Sequence, residues 1–158
     1  MDLSYGVLKT EDLAEAMVLE QRYFVETCTM HYEMLSHLMN SGVCFKCTVA
    51  DGRIVGFVKA EIDREKNVAS LDVVCVSAEH RGLGIAKRLI RLSIDAICRE
   101  TENRISEIFL LVSVENTRAI DLYGKMGFSV AEQIPDAYPN GGAALKMKYD
   151  LSISYSGK

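Results

Sequence analysis

Apolar positions occur in short runs and in longer helical patterns, and the clearest change between the two lies mid-chain. Residues 70–76 read Ser-Leu-Asp-Val-Val-Cys-Val, and a short run rich in β-branched side chains predicts a buried strand. After a loop, Ile85, Leu89, Leu92 and Ala96 recur at helical spacing, which predicts a helix extending to about residue 101. The middle of the chain is therefore expected to be a strand, a loop and a helix.

The rest of the chain predicts an α/β protein. Asp51-Gly52 between two apolar stretches indicates a hairpin, and Thr10-Glu11-Asp12 begins a helix that carries Leu13 and Met17. The strands are expected near residues 5–8, 43–50, 53–62, 70–76, 110–114, 128–133 and 144–151. Four helices are expected: after Thr10, up to about residue 39, over 85–101, and between 116 and 127. The prediction is a mixed, twisted sheet of about seven strands flanked by four helices, with one domain over 1–151 and a frayed tail over 152–158.

Composition narrows the class of protein. The 158 residues are 49% hydrophobic with two prolines, which is typical of a globular domain with a substantial core. The net charge of −4 argues against nucleic acid as a partner. No apolar run approaches membrane-spanning length, and the first residues lack the features of a signal peptide. We therefore expect a cytoplasmic protein that does not act in a membrane.

The five cysteines are expected to be free and mostly buried. Cys44 and Cys47 form a C-x-x-C pair, but residues three apart on a strand face opposite sides. No second pair follows, so no metal site is predicted.

The loop after residue 76 has the chemistry of a phosphate site. Gly82 and Gly84 let the backbone curl and present N–H groups, and the following helix adds unpaired donors and the positive end of its dipole. Arg81 adds a fixed positive charge. An ordinary turn is the alternative interpretation. The loop lacks the third glycine of a dinucleotide fingerprint and the Gly-Lys-Ser/Thr of a P-loop.

A second segment, Asn116-Thr-Arg-Ala-Ile-Asp-Leu-Tyr-Gly-Lys-Met-Gly127-Phe128, predicts a helix capped by Asn116 and stopped by Gly127. This segment follows the Arg-x-x-Gly-x-Ala loop at a spacing of one helix and one strand. With these two motifs the chain resembles the GNAT superfamily of acyl-CoA-dependent N-acetyltransferases, from about Leu3 to Leu151. The resemblance implies the GNAT fold and acetyl-CoA as cofactor.

The resemblance also implies where the cofactor binds. The loop residues Arg81, Gly82, Leu83, Gly84, Ile85 and Ala86 would cradle the pyrophosphate. Backbone groups of Val74, Cys75 and Val76 would pair with the pantetheine arm and help to polarise the carbonyl. Asn116 would contact the cofactor, and Tyr123 would protonate or hydrogen-bond the leaving thiolate. The alternatives are that Asn116 only caps its helix and that Tyr123 only packs.

Two routes are open for removing the proton of the incoming amine. Positions where the family often carries an acid, a histidine or a tyrosine hold Leu111 and Ser70 here. Asp72, on the same predicted strand as Ser70, is the candidate for the general base. The alternative interpretation is that Asp72 is a structural carboxylate at a bulge or edge of the sheet. Proton loss through water to bulk solvent is the competing mechanism.

The prediction of the acetyl acceptor rests on a resemblance to one branch of the family. Leu19-Glu-Gln-Arg22 and the segment 134–147 resemble protein N-terminal acetyltransferases, whose hairpin carries a Tyr-Tyr pair lining the peptide slot. Tyr138 matches one member of that pair and Ala137 replaces the other. The favoured function is acetylation of a peptide or protein N-terminus, with a possible auxiliary subunit as partner. One alternative is a polyamine or other small amine as acceptor, which Glu20, Glu26 and Glu33 would favour. A lysine side chain as acceptor and a non-catalytic acyl-CoA-binding regulator are the others.

Overall fold

A single mixed β-sheet organises the residues that the computed structural model describes, 2–24 and 42–154. The strands are β1 (Ser4–Val7), β2 (Gly42–Thr48), β3 (Ile54–Asp63), β4 (Val68–Val76), β5 (Glu107–Ser113), β6 (Ser129–Ile134) and β7 (Ala144–Asp150). The helices are α1 (Leu13–Phe24), α2 (Ile85–Glu100), α3 (Thr117–Met126) and α4 (Leu151–Ser154). The spatial order is β1-β2-β3-β4-β5-β7-β6, with β4 and β5 parallel and every other neighbouring pair antiparallel.

The predicted strands and helices in these ranges are confirmed to within a few residues, and so is the mixed seven-stranded sheet. The predicted second helix, up to residue 39, lies outside the described residues. A short helix over Leu151–Ser154 follows the last strand, with Leu151 buried against the core. The domain limits at 151 and 152 stay a prediction.

Each face of the sheet carries its own apolar core. On one face, α2 packs with its buried stripe of Ile85, Leu89, Ile94 and Ile97. Leu92, predicted as part of this stripe, is only half-buried because Ile90 and Ser93 take the adjoining core positions. A fully buried aliphatic side chain stabilises the fold by about 1.5–3 kcal/mol, so this stripe fixes α2 on the sheet.

The opposite face packs against α1. Phe57 on β3 and Val73 and Cys75 on β4 join Ala16 and Leu19 of this helix in the second core. The predicted separation of the C-x-x-C pair is confirmed, because Cys44 lies in the α1 core and Cys47 in the α2 core. The cysteines of the described chain are free and buried: Cys44, Cys47, Cys75 and Cys98.

Strands β4 and β5 separate halfway along their length, and this opening positions the site. They pair only over residues 68–71 of β4, while β3 follows β4 to Val76. At the point of separation, Lys59 of β3 pairs with Val73 of β4 and the next residue, Ala60, pairs with Leu71. Asp72 is thus the extra residue of a β-bulge, a feature that bends a strand and ends pairing.

Across residues 2–24 and 42–154, none of the helices combines the length and apolar character needed to traverse a bilayer.

Candidate active site

The loop before α2 leaves open space above a row of backbone donors. Gly82 and Gly84 have φ values of +82° and +78°, a left-handed conformation that glycine adopts without strain. A Cβ added at either position would meet no atom within 4 Å. The Arg88 amide donates to the Gly84 carbonyl at 3.0 Å, and the preceding first-turn amides have no carbonyl to reach within the helix. This cradle suits an anionic group.

A cleft of about 510 Å³ extends from this loop to α3. Its lining includes nearly all the predicted cofactor residues: Val74, Cys75, Val76, Arg81, Gly82, Gly84, Ile85, Ala86, Asn116 and Tyr123. Leu83 is the exception, since it is absent from the lining and its side chain is 49% exposed. The structure therefore brings together two motifs that lie thirty residues apart in sequence.

The cleft is electropositive. Arg81 and Lys87 line it from the loop and α2, and Arg118 and Lys125 line it from α3. Among the described residues of the lining, the single acid is Asp121. Lys125 forms an ion pair with that acid at 2.9 Å. This excess of cations favours a polyanionic ligand such as coenzyme A. The two α3 cations were not predicted from the sequence, although their seven-residue spacing places both on one helix face.

Asn116 caps α3 and also lines the cleft. Its Oδ1 accepts a hydrogen bond from the Ala119 amide at 3.2 Å, so the interpretation as a cap is confirmed. At the other end Gly127 has φ +109° and stops the helix, as predicted. The contact of Asn116 with cofactor stays a prediction.

Tyr123 is held at the base of the cleft by an aromatic cluster. Its ring lies 5.9 Å from that of Phe128, which in turn lies 5.2 Å from Tyr149. The residue is 8% exposed. Burial, followed by the electrostatic effect of Tyr138, raises the pKa of Tyr123 to about 12. Its hydroxyl is therefore protonated at neutral pH and can donate a proton or a hydrogen bond into the cleft.

Tyr138 lies on the loop between β6 and β7. The amides of Ala137 and Tyr138 both donate to the Gly142 carbonyl, at 2.9 and 3.2 Å, and the Gly141 amide donates to the Tyr138 carbonyl at 2.9 Å. These bonds fold the loop on itself with Tyr138 half-buried. The loop thus holds this residue close enough to influence the pKa of Tyr123, although Tyr138 is not among the cleft-lining residues.

Asp72 lines neither the cofactor cleft nor a second depression, although Ser70, two residues before it, belongs to the lining of the second. The second depression, of about 950 Å³, includes Ser70, Phe109 and Lys146. These residues alternate with core-facing Leu71, Leu110 and Met147 on their strands, which places them on the α1 face. The side chain of Asp72 is 28% exposed, so it is accessible to water.

A buried lysine lies beside this carboxylate. The Lys59 Nζ lies 3.8 Å from Asp72 Oδ2, and the Ser70 hydroxyl donates to Asp72 Oδ1 at 2.8 Å. Partial burial raises the pKa of Asp72, because desolvation outweighs the Ser70 hydrogen bond and the Lys59 charge. Burial likewise lowers the pKa of Lys59, which is 0% exposed. A carboxylate with a raised pKa is a better proton acceptor than a solvated one.

Two further features bear on the base and the acceptor. Leu111 is 52% exposed near the opening between β4 and β5. Its hydrocarbon side chain carries no titratable group, so this position supplies no base. Glu20 is 2% exposed and, being buried in the fold, is not available to bind a soluble amine. The expectation that Glu20 favours a small-amine acceptor was therefore wrong, and Glu26 and Glu33 lie outside the described residues.

Comparison with known proteins places this site in a family. Residues 10–128, well over half of the chain, match the model of the acetyltransferase (GNAT) family. N-alpha-acetyltransferase 30 of Saccharomyces cerevisiae is 34% identical over 101 residues, covering 62% of this chain and 56% of its own length. An N-alpha-acetyltransferase of Sulfurisphaera tokodaii is 28% identical over 134 residues, covering 77% of each chain.

The fold is also that of solved acetyltransferases. A chain in the crystal structure of the NatC complex bound to Gag peptide and CoA superposes with a TM-score of 0.84 at 24% identity, covering 95% of this chain and 99% of its own. At that identity the likeness shows the shared fold. The family match, together with a cleft that brings both of its motifs to one electropositive space, leads to one conclusion: this chain belongs to the acetyltransferase (GNAT) family and is an N-acetyltransferase that uses acetyl-CoA.

Proposed function

We propose that this enzyme acetylates the α-amino group of protein or peptide N-termini. One observation carries the proposal: β4 and β5 part beyond Leu71 and Leu110, where the cofactor cleft reaches Val74 to Val76 just past this point and the second depression reaches Ser70 and Phe109 just before it. An amine entering from the α1 face would meet the cofactor at this opening. The relatives named N-alpha-acetyltransferase support the choice of amine.

The cofactor fits the residues present. The amides of the α2 first turn and the Arg81 guanidinium would hold its pyrophosphate. The free edge of β4 beyond residue 71 offers backbone groups for its pantetheine arm. When bound, acetyl-CoA supplies an activated thioester and a thiolate leaving group.

The side chains then have separate proton-transfer roles. Tyr123 holds a proton on Oη at neutral pH and can deliver it toward the departing sulfur. Asp72 Oδ2 can accept the proton of the amine through water, because its raised pKa and partial exposure suit a proton acceptor. Lys59 and Ser70 hold that carboxylate in place. For the peptide, the proposal assigns a contact to Tyr138, which lies close enough to Tyr123 to affect its pKa.

A turnover assay with acetyl-CoA tests the acceptor. The enzyme is given a panel of peptides that differ at the first two residues, each also in an Nα-blocked form, and a parallel panel of polyamines and lysine side chains. The proposal expects acetylation of free peptide N-termini and none of the blocked forms. Faster turnover of a small amine, or of blocked peptides at lysine, would contradict it, and absence of turnover with intact CoA binding would favour a regulator.

Location and partners extend the proposal. We place the enzyme in the cytoplasm, a reducing compartment, because the four cysteines of the described chain are buried thiols without disulfides. An auxiliary subunit is also proposed, by analogy with the solved complex. Cell fractionation and the mass of the enzyme isolated from its native source test these two points.

A further inference from the structure

Tyr23 joins the last turn of α1 to the cofactor loop. Its hydroxyl accepts a hydrogen bond from the Ala78 amide at 2.8 Å. Its ring lies beneath the guanidinium of Arg81, whose Cζ is 4.9 Å from the ring centroid. A single side chain thus contacts both the beginning and the end of the turn that leads into the glycine loop.

The turn itself is anchored by backbone hydrogen bonds. The Ser77 amide donates to the Val55 carbonyl at 2.8 Å, and the His80 amide donates to the Ser77 carbonyl at 3.0 Å. These bonds fix the backbone up to His80 but not the exposed side chain of Arg81. Among the described residues no carboxylate forms an ion pair with Arg81. Its contact with Tyr23 is therefore the interaction that orients it.

Stacking orients the guanidinium without occupying its donors. The five N–H groups of arginine lie in the plane of the guanidinium, whereas an aromatic ring contacts its face. Arg81 can therefore rest on Tyr23 and still direct donors into the cleft, which both residues line. An arginine that is ordered in advance loses less side-chain entropy when an anion binds.

We infer that Tyr23 is a positioning residue for the cofactor: it holds Arg81 and the turn at Ala78 ready for the pyrophosphate, so that α1, a helix of the opposite face, contributes to cofactor affinity. The inference rests on the cofactor cleft of the proposed function but not on its acceptor or its base. Failure of the acceptor panel would leave it untouched, and its own failure would leave the acceptor untouched.

The test is a double-mutant cycle read by calorimetric titration of CoA. Tyr23→Leu removes both contacts and is expected to raise the CoA Kd about tenfold, given the usual sizes of cation–π and hydrogen-bond contributions. Tyr23→Phe keeps the ring and should have a smaller effect. In an Arg81→Ala background, Tyr23→Leu should raise the CoA Kd by less than about threefold, because a contact that acts through Arg81 has little effect once Arg81 is absent.

The chain offers a matched control. The Tyr5 ring lies 5.9 Å from the Arg88 guanidinium, and neither residue lines the cleft. Tyr5→Leu should leave the CoA Kd unchanged. Thermal melts separate folding from affinity, and Tyr23→Phe serves where Tyr23→Leu does not fold. An unchanged Kd in Tyr23→Leu, or the same loss with and without Arg81, would overturn the inference, since a merely structural role is independent of Arg81.

Discussion

Two tyrosines of one aromatic cluster differ in what their hydroxyls face. Tyr123 and Tyr149 both contact Phe128 and are both 8% exposed, but only Tyr123 lines the cofactor cleft. If both tyrosines only packed, removal of either hydroxyl would have a similar effect on turnover. If Tyr123 acts in catalysis, only removal of its hydroxyl lowers turnover, so Tyr149 serves as an internal control.

Tyr123→Phe is expected to keep fold and CoA affinity but to lower kcat. The hydroxyl acts mainly in the transition state, so kcat and kcat/KM should fall together, by about 10²-fold or more. Steady-state kinetics measure this, with Tyr149→Phe as the control that removes the same atom outside the cleft. Equal turnover in the two variants would show that the Tyr123 phenol only packs.

Asp72 allows a test of the base by pH. Since burial raises the pKa of this carboxyl, an Asp72 base gives an acidic limb at higher pH than a solvated aspartate would. Asp72→Asn should lower kcat/KM by about 10²-fold and remove that limb, because an amide cannot accept the proton. Profiles from about pH 4 to about pH 9 cover the acidic limb of a carboxylate and also bracket the α-amino pKa of about 7.7–8.0.

The competing mechanism makes a different prediction for the same profile. If the amine loses its proton to bulk water, Asp72→Asn keeps near wild-type rates, which rise until the pKa of the amine itself. The exposed hairpin acid Asp51 supplies the control, Asp51→Asn, which should leave the profile unchanged under either mechanism.

At the scale of elements, the strand-loop-helix unit of β4 and α2 has a defined conformational requirement. Its two glycines have positive φ, and their missing Cβ atoms leave the space in which an anion would lie. A β-branched residue at Gly84 would therefore introduce backbone strain and block the approach of the phosphate.

Gly84→Val is expected to weaken CoA binding by at least about tenfold, or about 1.4 kcal/mol. Gly52→Val is the matched control: Gly52 also has positive φ (+87°), with no neighbour within 4 Å of an added Cβ, but lies in the β2–β3 hairpin. Both variants carry strain, so thermal stability falls in both. Calorimetry that finds equal CoA affinity in the two would refute the pyrophosphate assignment.

Elements were more predictable than the contacts between them. Periodicity, Asp51-Gly52, Asn116 and Gly127 mark boundaries through local backbone chemistry, so strands and caps could be predicted from the sequence. The junction of Tyr23 with Arg81 spans 58 positions and depends on how α1 crosses the sheet, which no local pattern specifies. The pairing of Lys59 with Asp72 likewise depends on the bulge in β4.

For the molecule as a whole, a few polar contacts attach the α1 layer to the sheet. The Ile54 amide donates to Glu15 Oε2 at 2.6 Å. Asp12 Oδ2 accepts from the Lys46 ammonium at 2.7 Å and from the Lys9 amide at 2.8 Å. These bonds join α1 and the turn before it to β2 and β3, so their loss should be seen in global unfolding.

Asp12 provides a prediction of stability against pH. Burial acts to raise its pKa, but the Lys46 and Lys9 hydrogen bonds outweigh it and hold the pKa of Asp12 below the usual value. The folded state therefore binds this proton less readily than the unfolded chain. The resulting stabilisation is fully present above the ordinary aspartate pKa and is lost as pH falls through the lowered folded-state value.

Asp12→Asn should accordingly lower the free energy of unfolding at pH 7 by about 1.5 kcal/mol, the lower end of the usual range for a hydrogen bond to a charged group. The difference from wild type should shrink as the pH is lowered below about 4, since protonation of Asp12 then removes the same interaction. Urea denaturation at several pH values measures it. Asp51→Asn is again the control. Its ion pair with Arg53, at 3.9 Å, joins side chains about two thirds exposed, where ion pairs contribute little, and asparagine can still accept the 2.9 Å hydrogen bond from the Arg53 amide. A difference between wild type and Asp12→Asn that stays constant from neutral to acid pH would show that the carboxylate charge is not what attaches this layer to the sheet.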